Sequence, residues 1–256
     1  MKVGIIGYGC MGKVIADAMS LSHEVFVCGR NKLQTEKDIE GTNLFSVDVE
    51  ELISISDIIW LCVKPCQVES LVKSNFLRNK SISMLCIAAK ISLEQLINWN
   101  STIRWTLVMP NLALKVNQGM FGIFNPNIDN SERELLENLL NVVGICYWFE
   151  EITKYEAFTQ LCGCGIAWLL LVFESMVDAS IGLGFKQSEA IPLVVDLWKS
   201  SGSLFYSYPD KLTQLKWDTC SPGGLTIQGI HSAEKNGLRT AIIETFMSSS
   251  GKHRIS

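Results

Sequence analysis

"KVGIIGYGCMG", residues 2–12, sets a short apolar run against glycines at positions 7, 9 and 12. The run reads as a strand and residues 10–21 as a helix, so the glycines fall in the turn between them. Each then has a mechanical part. Gly7 permits the tight turn, Gly9 lets a pyrophosphate approach the backbone, and Gly12 lets the helix pack closely on the strand. The helix start, with Cys10 and Met11 in its first turn, offers free N–H groups and a positive dipole end to phosphates. Tight packing without a ligand would leave the same spacing, but the strand-turn-helix setting favours a dinucleotide.

Working outward, "EVFVC" (24–28), "DIIWLCV" (57–63), "ISMLCIA" (82–88) and "IRWTLVM" (103–109) read as further strands. Helical candidates near 31–38, 49–55, 67–78 and 92–98 separate them. Continuous apolar strands spaced by helices predict a parallel sheet covered on both faces, an α/β doubly wound fold of Rossmann type. After about residue 150 the strand signal stops. Residues 153–183, 187–206, 209–216 and 234–249 read as helices, so the expected division is a dinucleotide-binding domain over 1–150 and an all-helical domain over 151–256. A helix as apolar as 161–173 usually packs against another helix, and in a small domain that helix may come from another subunit.

The chain has 256 residues, 48% of them apolar and 19% charged, with a net charge of −4. That balance offers no basic surface for nucleic acid. The N-terminus lacks the pattern of a signal peptide, and the run "IAWLLLVF" (166–173) is closed by Glu174 before the ~20 residues a spanning helix needs. No membrane partner is expected. Nine cysteines without export signals read as reduced thiols of a cytoplasmic protein. "CVKPC" and "CGC" are not zinc spacings, so no metal is expected.

The second strand ends "VCGRNK" (27–32), where an NAD enzyme usually carries an acid. Arg30, Asn31 and Lys32 instead supply two cations and an amide suited to a 2′-phosphate, which favours NADPH, with NADH possible. A solvated basic turn is the alternative. "CVKPCQ" (62–67) and "MPNLALK" (109–115) follow two strands where ligands bind in such sheets, placing Val63, Lys64 and Pro65 over the cofactor. Asn111 could reach the nicotinamide ribose or the substrate, or serve as an Asx turn. In "TCSPGGLTIQG" (219–229), Ser221 and Thr226 carry hydroxyls while Gly223 and Gly224 allow backbone N–H groups to converge. That is an anion nest suited to a carboxylate, although a plain glycine-rich turn would read alike. It holds no general base and no nucleophile, and hydride transfer needs neither, because the cofactor carries that chemistry.

Together "GYGCMG", "CVKPCQ", "MPNLA", "LCGCGIAW" (161–168), and above all "SPGGLTIQGI" (221–230) followed by "EKNGLRTAI", resemble pyrroline-5-carboxylate reductases over nearly the whole chain. The resemblance implies hydride transfer from NADPH to the imine carbon of 1-pyrroline-5-carboxylate, giving L-proline. It also implies a homodimer or higher homo-oligomer built through the helical domain. Ser221, Gly223, Gly224 and Thr226 match the loop that holds the substrate carboxylate. Thr159 matches a threonine near the ring nitrogen, where its hydroxyl could pass a proton. Asn111 matches the family's Met-Pro-Asn asparagine. The chain departs from the family at Leu112 and Ala113, at Cys162, Cys164, Ile166 and Trp168, and in its tail "SGKHRIS". Those changes spare the carboxylate loop and bear on the ring pocket, so a reductase of another cyclic imino acid, or a cofactor-binding regulator without turnover, are the alternatives. Glu174 with Asp178 read as structural or interface residues, and the tryptophans at 148, 168, 198 and 217 as core. A proton-donor role for His231 is a lesser possibility.

Overall fold

The computed structural model describes residues 1–77 and 81–248. It divides into two units, Met1–Gly163 and Cys164–Ser256.

The first unit alternates β1 (Lys2–Ile6), α1 (Cys10–Met19), β2 (Glu24–Cys28), α2 (Lys32–Asp38), β3 (Leu44–Ser46), α3 (Val49–Ile55), β4 (Ile58–Leu61), α4 (Pro65–Val72), β5 (Ser83–Cys86), α5 (Leu93–Trp99) and β6 (Arg104–Pro110). Then come β7 (Gly119–Phe124), α6 (Asn130–Leu140), β8 (Gly144–Phe149) and α7 (Ile152–Phe158). The sheet order is β3-β2-β1-β4-β5-β6-β7-β8. Strands are parallel from β3 to β6, as predicted; β7 then runs antiparallel to β6, and β8 parallel to β7. Sequence reading did not mark β3, β7, α6 or β8. The strand β3 is too short for periodicity to show, and the glycine-bounded β7 and β8 alternate weakly.

Why the sheet is buried on both faces is visible in β4. Its side chains alternate by the strand period, Ile58 and Trp60 entering one core and Ile59 and Leu61 the other. All four are completely buried. The first core packs the sheet against Val14, Ile15, Ala18 and Met19 of α1 and against Leu136, Leu139 and Leu140 of α6. The second packs it against Leu52 of α3, Val68 and Val72 of α4, and Leu96 of α5. Each fully buried side chain of this size contributes about 1.5–3 kcal/mol of transfer free energy. Two helices start on side-chain caps that the sequence supplies: Ser92 with Gln95 form a capping box on α5, and Asp129 accepts from the Glu132 N–H on α6 at 2.8 Å. The order of strands reverses between β1 and β4, which opens a crevice beyond their carboxyl ends.

The division expected near residue 150 falls at Gly163. The cause is α7: Tyr155 and Phe158 are buried, with Tyr155 tilted on Phe124 at 6.0 Å and Phe158 on Phe149 at 5.4 Å.

The second unit consists of α8 (Gly165–Gly182), α9 (Gln187–Ser207), α10 (Leu212–Asp218), α11 (Leu225–Lys235) and α12 (Leu238–Ser248). The reading of a helix over 234–249 merges parts of α11 and α12; Gly237, at φ +74°, separates them. Among the described residues its buried apolar cluster is small: Val177, Ala190 and Val194, flanked by Phe173, Met176 and Trp198. Trp198 donates its indole N–H to the Met176 sulfur at 3.2 Å, and Trp168 meets Phe246 edge-on at 4.6 Å. Tryptophans 168 and 198 are therefore packing residues, whereas Trp217 is exposed. The helical run Ile152–Gly182 extends well beyond the apolar stretch read at 166–173 and is long and apolar enough to cross a membrane by length and composition alone. Isolated charges such as Glu174 do not end a helix, so counting only the uninterrupted apolar run set the limit too short. The expected helical end at residue 78 and the tail "SGKHRIS" lie outside the described residues.

Candidate functional site

The turn after β1 is pinned at both sides. Gly7 donates its N–H to the Cys28 carbonyl at 2.8 Å, and the Cys62 N–H reaches the Ile6 carbonyl at 2.7 Å. Gly7 has φ +103°, and a Cβ there would lie 2.7 Å from the Cys62 carbonyl group. At Gly12 a Cβ would stand 2.0 Å from the Gly7 oxygen, so the helix approaches the turn as closely as backbone permits. Gly9 differs: a Cβ there would meet nothing within 4 Å. Gly9 is also the N-cap of α1, with no side chain capping the helix. The first N–H groups of α1 therefore face an open space bordered by bare backbone, which fits a diphosphate.

That space is one corner of a cleft of about 650 Å³, lined by Gly7, Tyr8, Gly9, Arg30, Val63 and Lys64 among others. Cys10 is exposed, Met11 packs on the first core, and Pro65 opens α4. The three residues after β2 separate in role. Arg30 lines the cleft. Asn31 caps α2, its side chain accepting the Gln34 N–H at 3.2 Å. Lys32 pairs with Asp48 at 3.0 Å, a contact that holds its ammonium above the usual lysine value. Sequence reading missed Asp48, Val49, Tyr8 and Gly29, the last three of which line the cleft. Gly29 carried a signal, a glycine directly after a strand; a Cβ there would sit 2.1 Å from the Thr35 hydroxyl. Partial burial, then Asp17 and Asp38, push the Tyr8 phenol up to about 12, so it stays a neutral hydroxyl at the cleft wall.

Asn111 is buried, and its side-chain oxygen accepts the Met120 N–H at 3.1 Å, tying the end of β6 to β7. It is absent from the cleft lining, and its amide oxygen serves the sheet. Thr159 opens a π-helical turn, Thr159–Cys164, and donates its hydroxyl to the Tyr155 carbonyl at 3.0 Å. Such turns are frequent at functional sites.

In the second unit the late loop is a tight turn, in which Gly224 donates its N–H to the Ser221 carbonyl at 3.0 Å. Gly223 sits at φ +70°, and a Cβ on Gly224 would lie 2.2 Å from the Ser221 hydroxyl oxygen. Gly224 caps α11 without any side-chain bond, leaving the N–H groups of the first turn, Thr226 included, without a helical partner. Gln228 braces the loop by donating to the Gly223 carbonyl at 3.0 Å. Ser221 and Thr226 are both exposed. His231 lines a neighbouring hollow with Trp217, Ile227 and Glu234.

The described residues hold no cluster of three potential metal ligands. All nine cysteines are free thiols. Cys28, Cys62 and Cys146 are each pushed up by burial, Cys146 to about 12, which keeps them protonated and poorly nucleophilic.

The family described as "Pyrroline-5-carboxylate reductase dimerisation" matches residues 153–254, and "NADP oxidoreductase coenzyme F420-dependent" matches residues 2–85. The pyrroline-5-carboxylate reductase of Aquifex aeolicus is 30% identical, covering 98% of this chain and 96% of that protein. That of Arabidopsis thaliana is 28% identical over 99% and 94%. The crystal structure of Plasmodium falciparum pyrroline carboxylate reductase with NADP bound superposes at TM-score 0.89 with 26% identity, covering 98% of this chain and 96% of that one.

Proposed function

The chain belongs to the pyrroline-5-carboxylate reductase family, and from that premise we propose that it reduces 1-pyrroline-5-carboxylate to L-proline with NADPH. The observation that carries the reading is the coexistence of an open glycine cleft and an intact Ser221–Thr226 loop on one chain. Bound dihydronicotinamide supplies a hydride to the imine carbon. The chain's own residues bind and orient. The first turn of α1, with Gly9, Cys10 and Met11, would hold the diphosphate, and Arg30 the 2′-phosphate. Val63, Lys64 and Pro65 form the wall beyond β4.

The loop of Ser221, Gly223, Gly224 and Thr226 would hold the carboxylate by N–H groups and hydroxyls, with no base involved. The Thr159 hydroxyl proton is already given to the Tyr155 carbonyl. Toward a ring nitrogen Thr159 therefore accepts, holding the N–H of a protonated imine whose proton comes from solvent. Asn111 would act on the site indirectly, its side-chain oxygen tying the end of β6 to β7. Placing two reactants in one geometry is worth up to about 7–11 kcal/mol of barrier, so no acid–base pair is required.

The helical unit assembles the protein as a homodimer or larger homo-oligomer, a reading supported by its match to a dimerisation family and its thin core. The free thiols fit a cytoplasmic setting. The test is a steady-state assay with NADPH and pyrroline-5-carboxylate, following nicotinamide absorbance. Turnover that is absent here but present with a six-membered cyclic imine would replace the substrate. Binding of NADPH without turnover on any imine would leave a regulator.

A further inference from the structure

The turn after β2 and the cap of α3, which border the cleft through Arg30 and Val49, carry charge of both signs. Arg30 lines the cleft at the end of β2, and Val49 lines it at the start of α3. Next in sequence to these lining residues is an ion pair, Lys32 Nζ to Asp48 Oδ2 at 3.0 Å, joining the first turn of α2 to the cap of α3. An aspartate at a helix start ordinarily accepts an N–H from its own helix. Asp48 makes no such bond, and its carboxylate reaches back sixteen residues to the lysine instead. Both side chains are exposed, 48% for Lys32 and 70% for Asp48, so water screens the pair and it is readily broken. The other acids facing Lys32 are Glu36 and Glu51.

Resting on the NADPH reading above, we infer that Asp48 is a specificity-determining residue, which restrains Lys32 and so sets how strongly the cleft prefers a 2′-phosphorylated dinucleotide. A ligand with a free 2′-hydroxyl leaves the Lys32–Asp48 pair intact. A 2′-phosphate, a dianion with three acceptor oxygens, competes with the Asp48 carboxylate for the same ammonium. The preference is then the difference between two charge pairings, and Asp48 holds it below what Arg30 and Lys32 together would give.

The experiment is calorimetric titration of the full-length protein with 2′,5′-ADP and with 5′-ADP, fragments that bind without turnover. Asp48→Ser keeps a residue suited to a helix start but lacks charge and reach. Relative to the unaltered protein, it is expected to move the ratio of the two dissociation constants about fivefold toward 2′,5′-ADP, the change corresponding to one exposed charge pair. In a Lys32→Gln background the same substitution is expected to leave the ratio where Lys32→Gln alone puts it. A fivefold shift that persists without Lys32, or no shift with Lys32 present, overturns the inference. Equal affinity of the unaltered protein for the two fragments overturns instead the cofactor reading on which it rests.

Discussion

The two units of this chain solve the problem of burial differently. Residues 1–163 enclose two cores, with Ile5, Trp60, Leu52 and Phe121 each almost wholly buried. Among the described residues from 164 onward, Val177, Ala190 and Val194 make up the buried apolar cluster, while Leu183 is 81% exposed and Leu225 87%. Isolated exposed leucines are ordinary; a helical unit with Leu169, Leu170, Leu171, Ile242 and Ile243 all exposed is not. The sheet unit has the interior of a self-sufficient domain. The helical unit has the composition of one and the interior of half of one, and it matches a family described by its dimerisation.

The largest expected effect tests that contrast directly. Trp60→Ala, in the sheet, should cost about 3–5 kcal/mol in chemical denaturation, independent of protein concentration. Leu171→Ala, at a side chain 63% exposed, should cost under about 0.5 kcal/mol if the chain stands alone. A loss above about 2 kcal/mol that deepens on dilution would establish the partner; a small, dilution-independent loss would break the comparison. Next, Ser221→Ala with Thr226→Ala should raise the KM for the imino acid, by about 1–3 kcal/mol of binding, with the NADPH KM held. Movement of both constants would mean the helical unit does not hold the carboxylate. Arg30→Asp, in the sheet unit, should raise the KM for NADPH about tenfold and that for NADH less, an equal rise removing Arg30 from the 2′-phosphate.

The smallest effect is one of pH. Burial first, then the N-terminal charge, holds His23 below the usual histidine value, and neither ring nitrogen has a hydrogen-bond partner. The unfolded chain therefore takes up the proton first, so the sheet unit loses stability as pH falls below about 6.5 toward the lower folded value. A melting temperature about 1–2 °C lower at pH 5.5 than at pH 7, and flat in His23→Gln, is expected.

What the sequence disclosed and what it withheld follow from distance along the chain. The glycine turn and the Ser-Pro-Gly-Gly loop were legible because every group that acts there lies within a few residues. Gly7 and Gly12 take up the steric parts their spacing predicts, and Gly223 adopts the positive φ that favours glycine. The roles of Asn31, Lys32, Asn111 and Thr159 were not legible, since each depends on where a side chain finds its partner. Asn31 prefers its own helix cap, Lys32 an acid sixteen residues on, and Asn111 a strand nine residues away. The π turn at Thr159 breaks helical phase with no proline to announce it, the glycines at 163 and 165 coming only at its end. Position in sequence names a candidate; only the fold says which of its atoms are already engaged.

Leu169, Leu170 and Leu171 are exposed at successive positions of α8, so the helix is bare and apolar around more than half of its turn. Under the proposed pairing, a newly made chain would have to meet its twin before a protease or an aggregate, which would tie the amount of folded protein steeply to the rate of its synthesis. The same pairing would make faults contagious, since a subunit damaged only in its helices would claim a sound companion.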